Sequence, residues 1–227
     1  MQDLPLLEYG KFFHIYNRGN NNENIFYERR NYNYFLLLYE KYIYPIADTF
    51  AFCLLKNHFH LFVRIKSEGE IIKSVNLQGL KNLEGFKIQN PTNQFSNLFN
   101  AYAKAINKTY NRTGALFEKR FKRKLITSVS YFLPLIYYIH FNPQKHGFVN
   151  DYRDYTYSSY KIILSKKDTR LDRQSVLKWF GSREKFKEYH AKEFNGKNTM
   201  EYAYFEDGKD LQGLEDLEGL NNKGKLI

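Results

Sequence analysis

A single cysteine, Cys53, among 227 residues leaves no material for a disulfide framework or a cysteine-rich zinc site. Long apolar runs are missing too, and no stretch approaches the ~20 residues needed to span a bilayer. The opening MQDLPLLEYG lacks the basic-then-apolar order of a secretion signal. The chain is therefore expected in the cytoplasm, away from membranes. Carboxylates are scarce outside the C-terminal end: 24 Asp and Glu stand against 35 Lys and Arg, for a net charge of +11. From Glu201 to Ile227 seven acids face three lysines, so that tail carries −4 and the body before it +15. A body this basic suits a polyanion, because neutralising phosphates and releasing counterions supply most nucleic-acid affinity. It also suits a basic protein that never meets a nucleic acid, so composition leaves both open.

What the chain has in excess is aromatic side chains, 20 Tyr and 20 Phe beside one Trp. The length allows one well-buried core and an appendage. Phe12 to Tyr16, closed by Asn17-Arg18-Gly19, reads as a strand and turn. Arg30 to Tyr44 has helical spacing and stops before Pro45. Ala47–Leu55 and Phe59–Ile65 read as paired strands around a Lys56-Asn57 turn. Ser96 to Tyr110 reads as a helix capped by Ser96, Phe117–Ile126 as a basic strand, and Ser130–Phe141 as a helix ending at Asn142-Pro143. The order β-α-β-β-α-β predicts an α+β fold of the ferredoxin-like or RRM-like kind, an antiparallel sheet with helices on one face. Helical patterns at 158–164, 172–180 and 183–194 then form a C-terminal helical extension. Two decapeptides stand apart, LQGLKNLEGF (Leu77 to Phe86) and LQGLEDLEGL (Leu211 to Leu220), identical at seven of ten positions. They read as insertions where a fold tolerates them, in a loop near 75–92 and in the tail. Two matched segments that pair with each other or with a second chain are the other reading.

Three constellations could carry chemistry. His58 and His60 flank Phe59 on a strand, so both imidazoles share a face. Same-face histidines suit a divalent ion, and they also occur as packing or as a phosphate contact. Tyr138 and Asn142 are four apart on a helix and so project together. An amide oxygen suits a third metal ligand, and a neighbouring phenol suits attack on a polarised phosphodiester. Tyr137 is the adjacent competitor, turned by about 100° around the helix, and His140 projects elsewhere. Along the basic strand, alternation puts Arg120, Lys122 and Lys124 on one face and Lys119, Phe121 and Arg123 on the other. Cations interleaved with aromatics fit a groove for unpaired bases, although such a strand also serves as a solvated edge that discourages aggregation.

Together and in order, these segments resemble the REP-associated tyrosine transposases, relatives of the HUH single-strand transposases of small bacterial insertion sequences. The resemblance is carried by FHIYNRGNNNENIF (Phe13 to Phe26), KNHFHLFVRIK, FSNLFNAYAKAINKTYNRTGALFEKRFKRK, YYIHFNPQKHGFV and YSSY (Tyr157 to Tyr160). It covers about residues 10–195, interrupted by the insertion, and departs where Tyr157 stands in place of a common tryptophan. It implies metal-ligand roles for His58, His60 and Asn142 around Mg²⁺ or Mn²⁺, and the nucleophile's role for Tyr138. It further implies cleavage and rejoining of single-stranded DNA through a 5′-phosphotyrosine, on an imperfect hairpin of the repetitive extragenic palindrome type. On this reading residues 1–149 form the catalytic domain and 150–195 a DNA-binding helical extension with Lys166, Lys167, Arg170 and Arg173, while 196–227 form a mobile acidic tail. Arg18, Lys119, Arg120, Lys122, Arg123, Lys124 and Lys145 complete the expected DNA contacts. The extension favours a monomer over the dimers of insertion-sequence relatives. Two other classes are a replication-initiator nickase and a non-catalytic RRM-like binder. The first shares the chemistry, but relaxases place the tyrosine upstream of the histidines. The second would carry a Gly-aromatic signature that is missing here.

Overall fold

Residues at alternate positions of the first strand face two different apolar environments, and this organises the molecule. In the computed structural model, which describes residues 4–77 and 90–191, β1 (Phe12–Arg18) sits between two antiparallel neighbours. The described residues up to Tyr189 form one compact unit. The strands β2 (Ala47–Leu54), β3 (His58–Ile65) and β4 (Lys122–Ile126) complete a sheet ordered β2-β3-β1-β4, the ferredoxin-like arrangement. The hairpin between β2 and β3 closes on Leu55 N–H donating to the His58 carbonyl at 2.8 Å. Register pairs Tyr16 with His60 and with Lys122, and His14 with Phe62 and Lys124.

One face of the sheet presents Phe13, Ile15, Phe59, Leu61 and Val63, all withdrawn from solvent. Against it lie α1 (Arg29–Tyr42) and α3 (Pro91–Thr109), which bury Phe35, Leu38, Phe95, Phe99 and Tyr102. Each such side chain removed from water contributes roughly 1.5–3 kcal/mol. The opposite face carries Phe12, His14, Tyr16, His58, His60 and Phe62. It receives α4 (Phe132–Lys145) and α6 (Arg173–Phe180), whose Phe132 and Trp179 pack on Phe12, Phe50 and Phe62 at ring separations of 4.6–6.3 Å. The two helices of the β-α-β-β-α-β unit thus share one face, and α4 and α6 take the other.

The helices depart from the sequence expectation chiefly in three places, each for a local reason. A helix α2 (Glu68–Leu77) follows β3, begun by a reciprocal cap in which Ser67 N–H donates to Glu70 Oε2 and Glu70 N–H to Ser67 Oγ. Helix α3 begins at Pro91, not after Ser96: Asn90 Oδ1 accepts from Thr92 N–H at 2.8 Å and proline takes the first helical position. Ser96 lies inside the helix and donates its hydroxyl to the Thr92 carbonyl at 3.0 Å. Helix α4 runs through Asn142-Pro143 to Lys145. The basic strand is shorter than expected, because Arg120 adopts φ +56° and Phe121 turns into the core against Phe95 and Phe99. The decapeptides, apart from the backbone of Leu77, and the acidic tail lie outside the described residues.

The chain after Val149 closes the free edge of β2. Leu54 N–H donates to the Tyr157 carbonyl, Ser159 N–H to the Phe52 carbonyl and Asp172 N–H to the Thr49 carbonyl, each at 2.9 Å. Two short helices, α5 (Tyr160–Leu164) and α7 (Arg183–Ala191), complete this part with α6. The Ser159 hydroxyl accepts from Phe52 N–H at 2.9 Å and bonds His140 Nε2 of α4 at 2.7 Å, tying that helix to the sheet edge. Ser159→Ala is expected to cost about 1–3 kcal/mol, since it strips a buried N–H of its partner. A melting midpoint unchanged by that substitution would remove this tie from the account. No helix among the described residues is long and apolar enough to cross a membrane.

Candidate active site

The four residues singled out by sequence converge where α4 crosses the sheet. Tyr138 and Asn142 share a stripe of α4 with Lys145, at i, i+4 and i+7. His60 lies 5.3 Å from the Tyr138 ring and 5.3 Å from His58, measured between ring centres, and both contacts are edge-on. Tyr138 is fully buried, with Lys145 Nζ 5.5 Å over its ring.

Asn142 is held by its own helix. Its Nδ2 donates to the Tyr138 carbonyl at 2.8 Å, which identifies the other amide atom as oxygen. That Oδ1 is buried with no hydrogen-bond partner. An orphaned carbonyl oxygen is costly in a protein interior unless something electropositive meets it.

The histidines are oriented by their neighbours. His58 Nδ1 bonds Asn57 Oδ1 at 2.8 Å; because that oxygen can only accept, Nδ1 carries the proton and Nε2 the lone pair. Asn57 is fixed in turn, since Gly19 N–H donates to its carbonyl at 2.7 Å. Gly19 is required there, because a Cβ would stand 2.0 Å from the Glu23 carbonyl oxygen. Burial lowers the His58 pKa to about 4, helped by His146, Arg18 and Lys145 and opposed by the Asn142 side chain beside it. His60 is pushed well below the ordinary histidine value by burial, then by His14, His58, His146 and Lys145. Both imidazoles are therefore neutral at physiological pH, the state a metal ion requires. Among the described residues no group of three or more His, Cys, Asp or Glu side chains is placed to hold a metal. A divalent cation would rest on two imidazoles and the amide oxygen. The open Oδ1 and the two neutral rings fit that set.

Tyr137, the competing phenol, points away from the histidines. It packs on Phe141 and Tyr152 at 5.6 and 6.0 Å, and burial pushes its pKa up to about 12 against the pull of Arg153.

No family model matches the chain. A Haemophilus influenzae protein named as a REP-associated tyrosine transposase is 27% identical over 117 residues, which cover 52% of this chain and 60% of that protein's length. A solved structure of a REP-associated tyrosine transposase bound to a REP hairpin shares the fold with a TM-score of 0.52 at 14% identity, covering 73% of this chain and 86% of that one. The chain is thus similar in sequence to one REP-associated tyrosine transposase and in fold to another.

The basic residues expected from the sequence to contact DNA divide between the site and other surfaces. Lys122 and Lys124 extend from β4 on the histidine face; Lys122 Nζ lies 6.0 Å over the Tyr16 ring, and Lys124 bears on His14. Arg18 ends β1 beside His58 and pairs with Glu118. Lys119 and Arg120 are exposed in the bend before β4. Arg123 faces the opposite layer, donating to the Pro5 carbonyl at 2.5 Å with its guanidinium 5.0 Å over Phe121. Arg170 pairs with Glu40 of α1 at 2.6 Å and stacks on Tyr44. Arg173 is spent on the Ser165 and Lys167 carbonyls, at 2.6 and 2.9 Å. Lys166 and Lys167 are exposed in the connection before α6.

Sequence reading missed His14 and His146. His14 packs against both Tyr16 and His60, with ring centres 4.7 and 5.1 Å away, and the His146 ring meets His58 at 4.7 Å. His14 shares strand parity with Tyr16, which is the signal that could have placed it; for His146, just past the end of α4, no spacing rule applies.

Proposed function

We propose that the protein is a metal-dependent endonuclease and strand transferase acting on single-stranded DNA at hairpins, with Tyr138 as nucleophile. The convergence of Tyr138 with the open Asn142 oxygen and two neutral histidines is the observation that supports this most. His58, His60 and Asn142 would hold Mg²⁺ or Mn²⁺, which when bound draws charge from a scissile phosphate and makes phosphorus easier to attack.

The remaining steps belong to the chain's own groups. The Tyr138 phenol gives up its proton, and Oη attacks phosphorus in line with the 3′-oxygen. One P–O bond forms as another breaks, leaving a 5′-phosphotyrosine and a 3′-oxygen that becomes a hydroxyl by taking a proton from water, which receives the one the phenol lost. Because the bond count is conserved, the same or another 3′-hydroxyl can reverse the step without ATP. An unperturbed phenol titrates near ~10, so cationic surroundings are needed to favour phenolate. The ammonium of Lys145 over the ring is one such charge. The phenol is buried, so strand entry has to open its surroundings. Lys122, Lys124 and Arg18 border the histidine face on the side of β1 and β4, where a phosphate backbone would find its countercharges.

Incubation with single-stranded hairpin oligonucleotides is expected to give a covalent protein–DNA band with Mn²⁺ or Mg²⁺ and none with EDTA. The absence of any band across a hairpin library, with DNA binding intact, would leave a non-catalytic sheet-based binder.

A further inference from the structure

Among the described residues, His14 is a fully buried polar group without a role so far. It lies in the middle of a central strand, wholly withdrawn from solvent, between Phe13 and Ile15. A buried polar ring there is costly unless a partner offsets it. His14 Nε2 lies 2.9 Å from His60 Nδ1, across the pairing of β1 with β3.

A bond between two neutral imidazoles needs one N–H and one lone pair, so it selects a tautomer for each ring. If His60 Nδ1 donates, its lone pair is on Nε2, and that ring can ligate a cation there. If His14 donates instead, His60 carries its proton on Nε2 and has no lone pair left for a ligand. His58 already has the first arrangement through Asn57.

We propose that His14 is a positioning residue, accepting the His60 Nδ1 proton and so fixing both the ring plane and the ligating nitrogen of His60. The inference rests on reading His60 as a metal ligand, and acts through that residue alone. Partners of this kind typically alter metal affinity about 10–100-fold.

The test uses the full chain and Mn²⁺ titrations followed by calorimetry. His14→Phe keeps a ring against Tyr16 and His60 but removes the acceptor, and His14→Gln offers an amide oxygen in its place. His14→Phe is expected to weaken Mn²⁺ binding about 10–100-fold, with His14→Gln recovering most of the loss. Hairpin binding in EDTA should be the same for all three proteins. Equal Mn²⁺ affinity for the wild type and His14→Phe would overturn the proposal, as would an equal loss in both variants. A wild type that binds no Mn²⁺ would overturn the metal site itself, a separate outcome. Nitrogen NMR of the imidazoles in the unsubstituted protein decides the matter even if a variant fails to fold. The proton of His60 should reside on Nδ1, and finding it on Nε2 would overturn the assignment.

Discussion

Replacing Tyr138 by phenylalanine is expected to abolish the covalent protein–DNA band, with a loss of at least about a thousand-fold, while hairpin affinity stays near that of the wild type. The reason is economical: the substitution removes one oxygen and keeps the ring. Its edge-on packing against His14 and His60 and its place under Lys145 survive, so α4 should remain seated. Tyr137→Phe is the matched control. That phenol lies among Phe141 and Tyr152 with its pKa pushed up to about 12, so its loss should leave the band intact. A full-yield adduct from Tyr138→Phe would move the nucleophile to another residue, and a band lost only in Tyr137→Phe would choose that neighbour.

The sheet was legible because strand alternation is a strong signal when both faces are filled. Phe13 and Ile15 against His14 and Tyr16, and Phe59 and Leu61 against His58 and His60, mark the two sides of one surface. Helix starts were less legible, because chemistry near each start offered competing caps. Ser96 looked like a cap on residue type, yet Asn90, six residues earlier, satisfies the first orphan N–H, and Pro91 presets φ. Ser67 and Glu70 carry a capping-box spacing that announces α2, yet the sequence reading passes from β3 to an insertion near 75–92 with no helix between them. Arg120 broke the basic strand by adopting positive φ, which alternation cannot foresee.

The site was legible to the extent that it depends on periodicity within single elements. His-x-His on a strand and Tyr-x-x-x-Asn on a helix each specify a shared face, and tertiary packing brought those two faces together. Pro143 argued against helix at Asn142, yet α4 continues, and the Asn142 amide bonds back to the Tyr138 carbonyl within the turn that proline weakens. Contacts between elements were not legible. Asn57 to His58 follows from adjacency, but His14 to His60 spans 46 positions and depends on strand order. The arginines Arg123, Arg170 and Arg173 look like phosphate ligands in sequence, and each is occupied with a carbonyl, a carboxylate or an aromatic ring of the protein itself.

Acid should destabilise the metal-free protein in a window that identifies these histidines. Burial lowers His14 to about 3, with Lys124 adding to it, lowers His58 to about 4, and lowers His60 well below its usual value. In the unfolded chain each would titrate near ~6.5. Between those values the unfolded state binds protons that the folded state refuses, so stability rises with pH. The contribution is complete above about pH 6.5 and is lost as pH falls toward the folded values; for His58 alone the loss by pH 4 is roughly 2–3 kcal/mol. Against a typical total of about 5–15 kcal/mol, three such rings make a large share. Carboxylates act lower down. Glu70, held near 2 first by its bond to Arg64, contributes stability above its unfolded value of 4.5 and loses it between there and 2. The melting midpoint should therefore be level above about pH 7 and fall steeply from 6.5 to 4.5, before that ion pair weakens. A flat midpoint across that range would mean that the rings accept protons within the fold. Two protonated imidazoles beside Lys145 and Arg18 would repel a cation, and the open oxygen of Asn142 would then need a different explanation.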